Sequence, residues 1–497
     1  MTSEVGTRPR IGSSVPDVGL RTLIVGAGAA GKALARDLQR VADFGLCPVG
    51  FLDDDVTKRR VRHLPVLGRL SDVLKVATTE RIDVVVLAIP GLPEAEVTRL
   101  ATAAARVGAS VRRLPSFIAL LQRDVVGTDL RSLDVADLIG RSEMHVASPE
   151  VAEIITGRTV LVTGAGGSIG SELCRQVDGF APSRLVMLDH DESNLHRLQL
   201  ELWGEAFLEA HDVVVADIRD AERMRQVMGY YRPDVVFHAA ALKHLPMLEQ
   251  HPCEGVKSNV QGTENVLVAA VEAGVERFVA ISTDKAADPT SVLGATKALA
   301  EQVVRKHAGG RTVVSAVRFG NVLGSRGSLL PVLVSQMAAG RDVTVTHPDV
   351  TRYFMTIEEA VGLVLEAAHL TTGSETFVLD MGSPVKIVDL VANFARQLDV
   401  RDVRIRFTGL RPGEKLHESL FSDDEDCVPT SHPRIFSADA VPVHEDFDLL
   451  MLSLYDAAGR NAADEVRRTL REALPIYRPE PVAAVAMQTS APYPDDY

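Results

Sequence analysis

The chain is poor in several features that mark whole classes of protein. Its 497 residues include four cysteines, Cys47, Cys174, Cys253 and Cys427, and these are widely scattered. No CxxC pair or Cys/His cluster occurs, so no structural metal site is expected and the thiols read as free groups in a reducing cytosol. No uninterrupted apolar run approaches the roughly 20 residues that span a bilayer. The opening MTSEVGTRPRIG lacks the apolar core of a secretory signal. A soluble, cytoplasmic protein is therefore expected. A surplus of positive charge is missing too: the formal net charge is −14. That argues against nucleic-acid backbones and anionic membrane surfaces as main partners. It leaves room for a small anionic substrate, because a pocket can be basic on an acidic protein.

What is present is the composition of an ordinary globular protein, with 46% hydrophobic residues. A single core rarely grows to this length, so two or more domains are expected. Residues 1–20 are polar and rich in Gly and Pro and read as a disordered leader. RTLIVGAGAAGKALARDL follows: a β-branched run, a glycine loop and a helical pattern. PVGFLDDD and IDVVVLAIP then read as buried parallel strands. This α/β unit is assigned to residues 21–141.

The same order returns in TVLVTGAGGSIGSELCRQV. RLVMLDHD, DVVVADIRD, PDVVFHAAA, RFVAIST and VVSAVRFGNV follow as strands, with helical stretches between them. The fold class expected is α/β, with two tandem Rossmann-like doubly wound parallel sheets and the larger unit second, at 142–440. After about residue 330 the pattern loosens. TRYFMTIEEAVGLVLEAA, ETFVLDMG and KIVDLVANFARQL suit a smaller C-terminal cap over the carboxyl ends of the strands. Residues 441–478 read as a helical segment and 479–497 as a disordered tail.

The second glycine loop has Gly164, Gly167 and Gly170, with Ser168 and Ile169 opening the helix. Glycines at this spacing permit a tight turn and close approach of backbone to a pyrophosphate at a helix N-terminus. Asp189 lies 25 residues beyond Gly164, where an acid can bond a ribose 2′-hydroxyl and repel a 2′-phosphate. That favours NAD over NADP. The first loop, Gly26, Gly28 and Gly31 followed by Asp53, also fits a GxGxxG pattern. Residues 1–150 contain no tyrosine, however, so the first unit is read as non-catalytic. Its loop fits either a nucleotide site or a packing turn.

The spacing TGxxGxxG resembles the extended short-chain dehydrogenase/reductase superfamily. By that resemblance Asp217 and Ile218 contact adenine, and Ala239 and Ala241 lie against the cofactor. The superfamily's usual Ser/Thr and TyrxxxLys site is altered here: Lys297 is present, but the tyrosine position is Leu293. Leucine cannot transfer a proton. Asp284 and Lys285 instead follow Thr283 directly. The pattern STDKAxxPTxVxGAxK is similar to the nucleotide-sugar 4,6-dehydratases of the long FlaA/CapD-like polysaccharide-biosynthesis family. HAAALKHLPMLE, SNVQGTENV, RFGNVLGSRGSLLP, HPDVTRYFMT and TGLRPGEKLHESL extend the likeness over roughly residues 21–425. Long members of that family usually begin with transmembrane helices, so the resemblance implies a soluble version with no membrane partner.

The resemblance implies NAD as cofactor, a nucleotide sugar as substrate with UDP-N-acetylglucosamine favoured, and a homo-oligomer. It makes Thr283 the partner of the sugar C4 oxygen, Asp284 the general acid at C6, Lys285 the base at C5 and Lys297 the holder of the nicotinamide ribose. A diphosphate needs fixed cations and donors, for which Arg318, Arg352, Arg411 and Lys415 are candidates. Glu414 is a candidate for a ribose hydroxyl, and Lys243 and Asn321 for the sugar or its phosphates. His244 reads as a satisfied structural histidine. A nucleotide-sugar 4-epimerase is the nearest alternative, and a catalytically inactive nucleotide-sugar sensor or scaffold is another.

Overall fold

The computed structural model describes residues 20–113 and 148–479 apart from short stretches, the longest being 39–45, 90–98 and 205–211. Residues 1–19, 114–147 and 480–497 lie outside the described residues, and with them the expected leader, tail and domain boundary. The chain divides into two compact units, Met1–Asp124 and Val125–Tyr497.

In the first unit, β1 (Leu20–Val25), β2 (Leu46–Leu52), β3 (Arg60–Val61), β4 (Leu64–Gly68), β5 (Val84–Leu87) and β6 (Ser110–Arg113) form one sheet in the order β3-β4-β2-β1-β5-β6. All neighbours are parallel except the short β3 beside β4. Successive residues of β1 enter different cores: Leu23 and Val25 join one cluster, Ile24 the other. Both faces are therefore covered, which is why these strands read as continuous apolar runs rather than alternating ones.

The second unit is built on a nine-stranded sheet. Its parallel part comprises β7 (Thr159–Thr163), β8 (Arg184–Asp189), β9 (Val213–Val215), β10 (Val235–His238), β11 (Arg277–Ile281) and β12 (Val313–Arg318). Their order is β9-β8-β7-β10-β11-β12, and each pair is parallel. The order reverses between β7 and β10, the switch point at which open α/β sheets bind ligands beyond the strand carboxyl ends. Val160 and Val162 face one core and Leu161 the other.

The elements after residue 330 do not all form the expected cap. Ser374–Leu379 pairs in parallel with β12 as a seventh strand, and Ile435–Ala438 and Cys427–Pro429 continue the sheet antiparallel. The helix Ile357–Leu370 lies within the core beneath the sheet, with Ala360, Val361, Leu363, Val364, Leu365, Ala367 and Ala368 at 0% exposure. Buried along most of its length, with Glu358 left at the surface, it is a core helix rather than part of a cap. The smaller C-terminal part that remains consists of short paired strands, among them Asn321–Leu323 with Phe354–Thr356 and Thr351–Arg352 with Val385–Lys386. Helices Phe447–Gly459 and Ala463–Ala473 pack Leu454, Val466 and Leu470 onto the core on the opposite side of the sheet.

Candidate functional site

The site begins with the turn between β7 and the helix α1 (Ser168–Gly179). Gly164 has φ +68°, and a Cβ there would lie 2.6 Å from the Ala240 nitrogen. A Cβ on Gly170 would lie 2.0 Å from the Gly164 carbonyl oxygen. No side chain fits either place, so the loop closes only with glycine. The Gly166 N–H donates to Asp189 Oδ2 at 2.9 Å, and the Asp191 N–H donates to Oδ1 at 3.0 Å. Asp189 thus pins the glycine loop to the end of β8. The first unit repeats the device: Ala27 N–H donates to Asp53 Oδ2 at 2.7 Å, and a Gly31 Cβ would meet the Gly26 oxygen at 1.8 Å.

Over this loop opens a cleft of about 820 Å³. Of the residues expected at a cofactor, Gly164, Gly167, Ser168, Ile169, Gly170, Asp189, Asp217, Ile218, Ala239, Ala241 and Lys297 all line it. Thr283, Lys285, Leu293, Lys243 and Asn321 line the same cleft. His244 does so as well, and it is exposed rather than a buried structural group. The buried histidine is His238, whose ring nitrogens meet the hydroxyls of Thr163 and Thr263 at 2.8 and 3.0 Å. Burial pushes it down to about 3, so it is neutral.

The chemistry-bearing segment is placed by helix α2 (Val292–Lys306). Ser291 caps it, accepting from the Gly294 N–H at 3.1 Å. A Cβ on Gly294 would lie 2.3 Å from the Lys285 carbonyl oxygen. That backbone-to-backbone contact seats the helix against the Asp284–Ala286 turn and brings Leu293 and Lys297 beside Thr283 and Lys285. Lys297 Nζ donates to the Ile281 carbonyl oxygen at 2.5 Å, and burial lowers it to about 8.

Asp284 is wholly buried. Its Oδ1 accepts from Thr283 Oγ1 and from Lys285 Nζ, both at 2.9 Å. Its Oδ2 is buried with no hydrogen-bond partner among the described residues. The carboxyl is thus reached from the cleft through the Thr283 hydroxyl and the Lys285 ammonium. Lys285 also lies 3.3 Å from Asn321 Oδ1 and 3.5 Å from Glu418 Oε1. Burial pulls Lys285 down, but the Asp284 and Glu418 carboxylates outweigh it and hold it above the ordinary lysine value. The resting group is therefore an ammonium.

The candidate diphosphate residues divide. Arg318 is not at the cleft. Its guanidinium, 5% exposed, is clamped between Glu301 at 2.6 Å and Glu425 at 2.6 Å. It is a buried clamp rather than a substrate contact, and it orients Glu301, which also accepts from the Ser282 hydroxyl. Arg352 bonds the Thr351 and Leu416 carbonyls and Glu414 Oε1. Glu414 also takes Thr346 Oγ1 at 3.0 Å and the Arg411 N–H at 3.2 Å, so it braces its own loop. Arg411 is exposed, while Lys415 Nζ is buried with no hydrogen-bond partner among the described residues. Thr290 Oγ1 donates to the Gly413 carbonyl at 3.1 Å, which docks this loop against the segment leading into α2.

Residues 160–440 match the family described as polysaccharide biosynthesis protein. The chain is 42% identical over 444 residues to the probable polysaccharide biosynthesis protein EpsC of Bacillus subtilis, covering 88% of this chain and 74% of that protein. The chain belongs to the polysaccharide biosynthesis protein family. Residues 13–115 match a family described as CoA-binding domain. A UDP-glucose 4-epimerase of Rickettsia rickettsii is 33% identical over 279 residues, 54% of this chain and 79% of that protein. The solved structure of Pen from Bacillus thuringiensis superposes with a TM-score of 0.53 at 32% identity, over 58% of this chain and 90% of that one. Among the described residues of this family member no helix is long and apolar enough to cross a membrane. No group of three or more metal-ligating side chains occurs among them either.

Two residues of the site escaped the sequence reading. Asn259, in the π-helical turn Val256–Gln261, accepts from the Leu242 N–H and donates to the Leu242 carbonyl, fixing the loop after β10. Glu418 stands between Lys285 and Arg352. Both sit inside quoted motifs, SNVQGTENV and TGLRPGEKLHESL, and only their three-dimensional neighbours single them out.

Proposed function

We propose that this chain is an NAD-dependent nucleotide-sugar 4,6-dehydratase of the cytoplasm, with UDP-N-acetylglucosamine as its substrate. The observation that carries the reading is the hydrogen-bonded Thr283–Asp284–Lys285 group beside Leu293. The position where the superfamily resemblance leads one to expect a phenol is Leu293, and an acid and an amine stand in the neighbouring turn instead. The glycine loop supports a dinucleotide: Gly164 and Gly170 let it close tightly at the start of α1, under the cleft, where a pyrophosphate is held in such sheets. When bound, NAD would accept the sugar's C4 hydride and return it at C6.

The residues supply the proton traffic. The C5 proton of a hexose becomes acidic only once C4 is a ketone. Thr283 takes the C4 hydroxyl proton and passes its own to Asp284 Oδ1, 2.9 Å away. Asp284 then supplies the proton that leaves with the C6 oxygen as water. Lys285, as the free amine, removes the C5 proton, and the ammonium so formed, whose hydrogens exchange with solvent, delivers a proton to C5 at the end. Turnover starts from the deprotonated fraction of Lys285 and closes with Asp284 ionised and Lys285 neutral again. Lys297 holds the nicotinamide ribose, and Lys243, Asn321, Arg411 and Lys415 hold the sugar and diphosphate. Mass spectrometry of UDP-N-acetylglucosamine incubated with the NAD-loaded protein tests this. Loss of one water supports it, and unchanged mass at full NAD occupancy contradicts it.

The epimerase reading has the Rickettsia relative in its favour. It returns the hydride to C4 and needs a base there, which Leu293 does not provide. Solvent deuterium at C5 distinguishes them, because simple 4-epimerisation leaves C5 untouched.

A further inference from the structure

We propose that Glu418 is a positioning residue that holds the Lys285 amine in place opposite Asp284 and governs when it gives up its proton. The inference rests on the dehydratase reading for its meaning, but its test does not.

Every charged group facing Lys285 is accounted for among the described residues. Asp284 comes from its own turn, with Oδ1 at 2.9 Å. Arg352 comes from the strand Thr351–Arg352, and Glu418 and Lys415 come from the loop beyond Gly413. Besides Asp284, Glu418 is the only carboxylate within ion-pair distance of Lys285 among the described residues. Its side chain is 2% exposed, so its charge is poorly screened by water. Oε1 lies 3.5 Å from Lys285 Nζ and 3.8 Å from Arg352 Nε, and Oε2 has no hydrogen-bond partner among the described residues. The carboxylate is shared between two cations while a third, the buried Lys415, stands near it. Arg352 in turn grips Glu414 at 2.9 Å. Lys285 is therefore not simply one half of an Asp–Lys pair. It is the second member of a line of alternating charges, Asp284–Lys285–Glu418–Arg352–Glu414, that runs into the loop bearing Arg411 and Lys415. A carboxylate this close and this dry stabilises the ammonium, and removing its charge frees the amine.

The test reads Lys285 directly. The full-length protein is pulsed with acetic anhydride at pH 9, and acetylation of Lys285 is measured by peptide mass spectrometry against the solvent-facing Lys386. In Glu418→Gln the relative rate rises about tenfold, as expected for an amine pKa lowered by roughly one unit or more. In Glu418→Asp, which keeps the charge, it stays within about threefold of the wild type. Equal acceleration in both variants marks mere loosening and overturns the proposal, as does no acceleration in either. If Glu418→Gln does not fold, Arg352→Gln decides: with its competing cation gone, Glu418 holds Lys285 more firmly and labelling slows severalfold, whereas an unchanged or faster rate contradicts the idea. Failure of the wild type to dehydrate UDP-N-acetylglucosamine would sink the dehydratase reading and leave this labelling result standing.

Discussion

Asp284 and Lys285 differ in what the cleft can reach. The carboxyl is fully buried, whereas the Lys285 side chain keeps 18% of its surface exposed. Loss of the acid in Asp284→Asn should lower kcat for dehydration by about 10²–10⁴-fold, with a much smaller change in KM. Steady-state kinetics on UDP-N-acetylglucosamine checks this. The active form carries a neutral Lys285, and its pKa is raised in the fold. Activity should therefore climb with pH through the alkaline range and fall as pH drops and the ammonium forms. A rate that is flat from pH 7 upward would contradict Lys285 as base. Arg318 belongs to a different class. Arg318→Ala leaves Glu301 and Glu425 as buried, unpaired charges, a change worth about 3–5 kcal/mol. A fall in Tm of roughly 4–6 °C by circular dichroism follows for a unit of this size. Arg411→Ala should instead raise KM and leave Tm unchanged. Sequence alone grouped these two arginines, because neither motif reveals whether a guanidinium is clamped by buried carboxylates or left exposed.

At the scale of elements, the glycine loops make the sharpest statement. A Cβ at Gly170 falls 2.0 Å from a carbonyl oxygen, so Gly170→Ala must push α1 off β7. Purified Gly170→Ala should carry no NAD by absorbance of the extracted nucleotide, and full NAD occupancy would contradict the cradle. The strands from β7 to β12 were legible because each is a short apolar run and all but the edge strand β9 are buried on both faces, and the switch point follows from their order. The helix Ile357–Leu370 and the strand Ser374–Leu379 were misplaced in a cap. Their sequences hold the same apolar content as the elements before them, and only the pairing with β12 shows that the sheet has not ended. Glu418 was illegible for a related reason: it lies 133 residues beyond Lys285 in the chain, and its role exists only where the loop after Gly413 folds back onto Thr290.

The whole molecule carries two units with the same loop-and-aspartate device, one with Thr283, Asp284 and Lys285 at its cleft and one without a tyrosine in its sequence. If the first unit is non-catalytic, Gly31→Ala, which strains only that unit, leaves kcat/KM within about twofold of the wild type. A large loss would assign it a part in turnover. The central claim is that the second unit performs an internal redox dehydration. Proton NMR of the product formed from UDP-N-acetylglucosamine in deuterated water tests it most directly. The account predicts a C6 methyl group, a ketone at C4 and deuterium at C5. A product that keeps its C6 hydroxyl and its C5 proton, whether starting material or the C4 epimer, would contradict it.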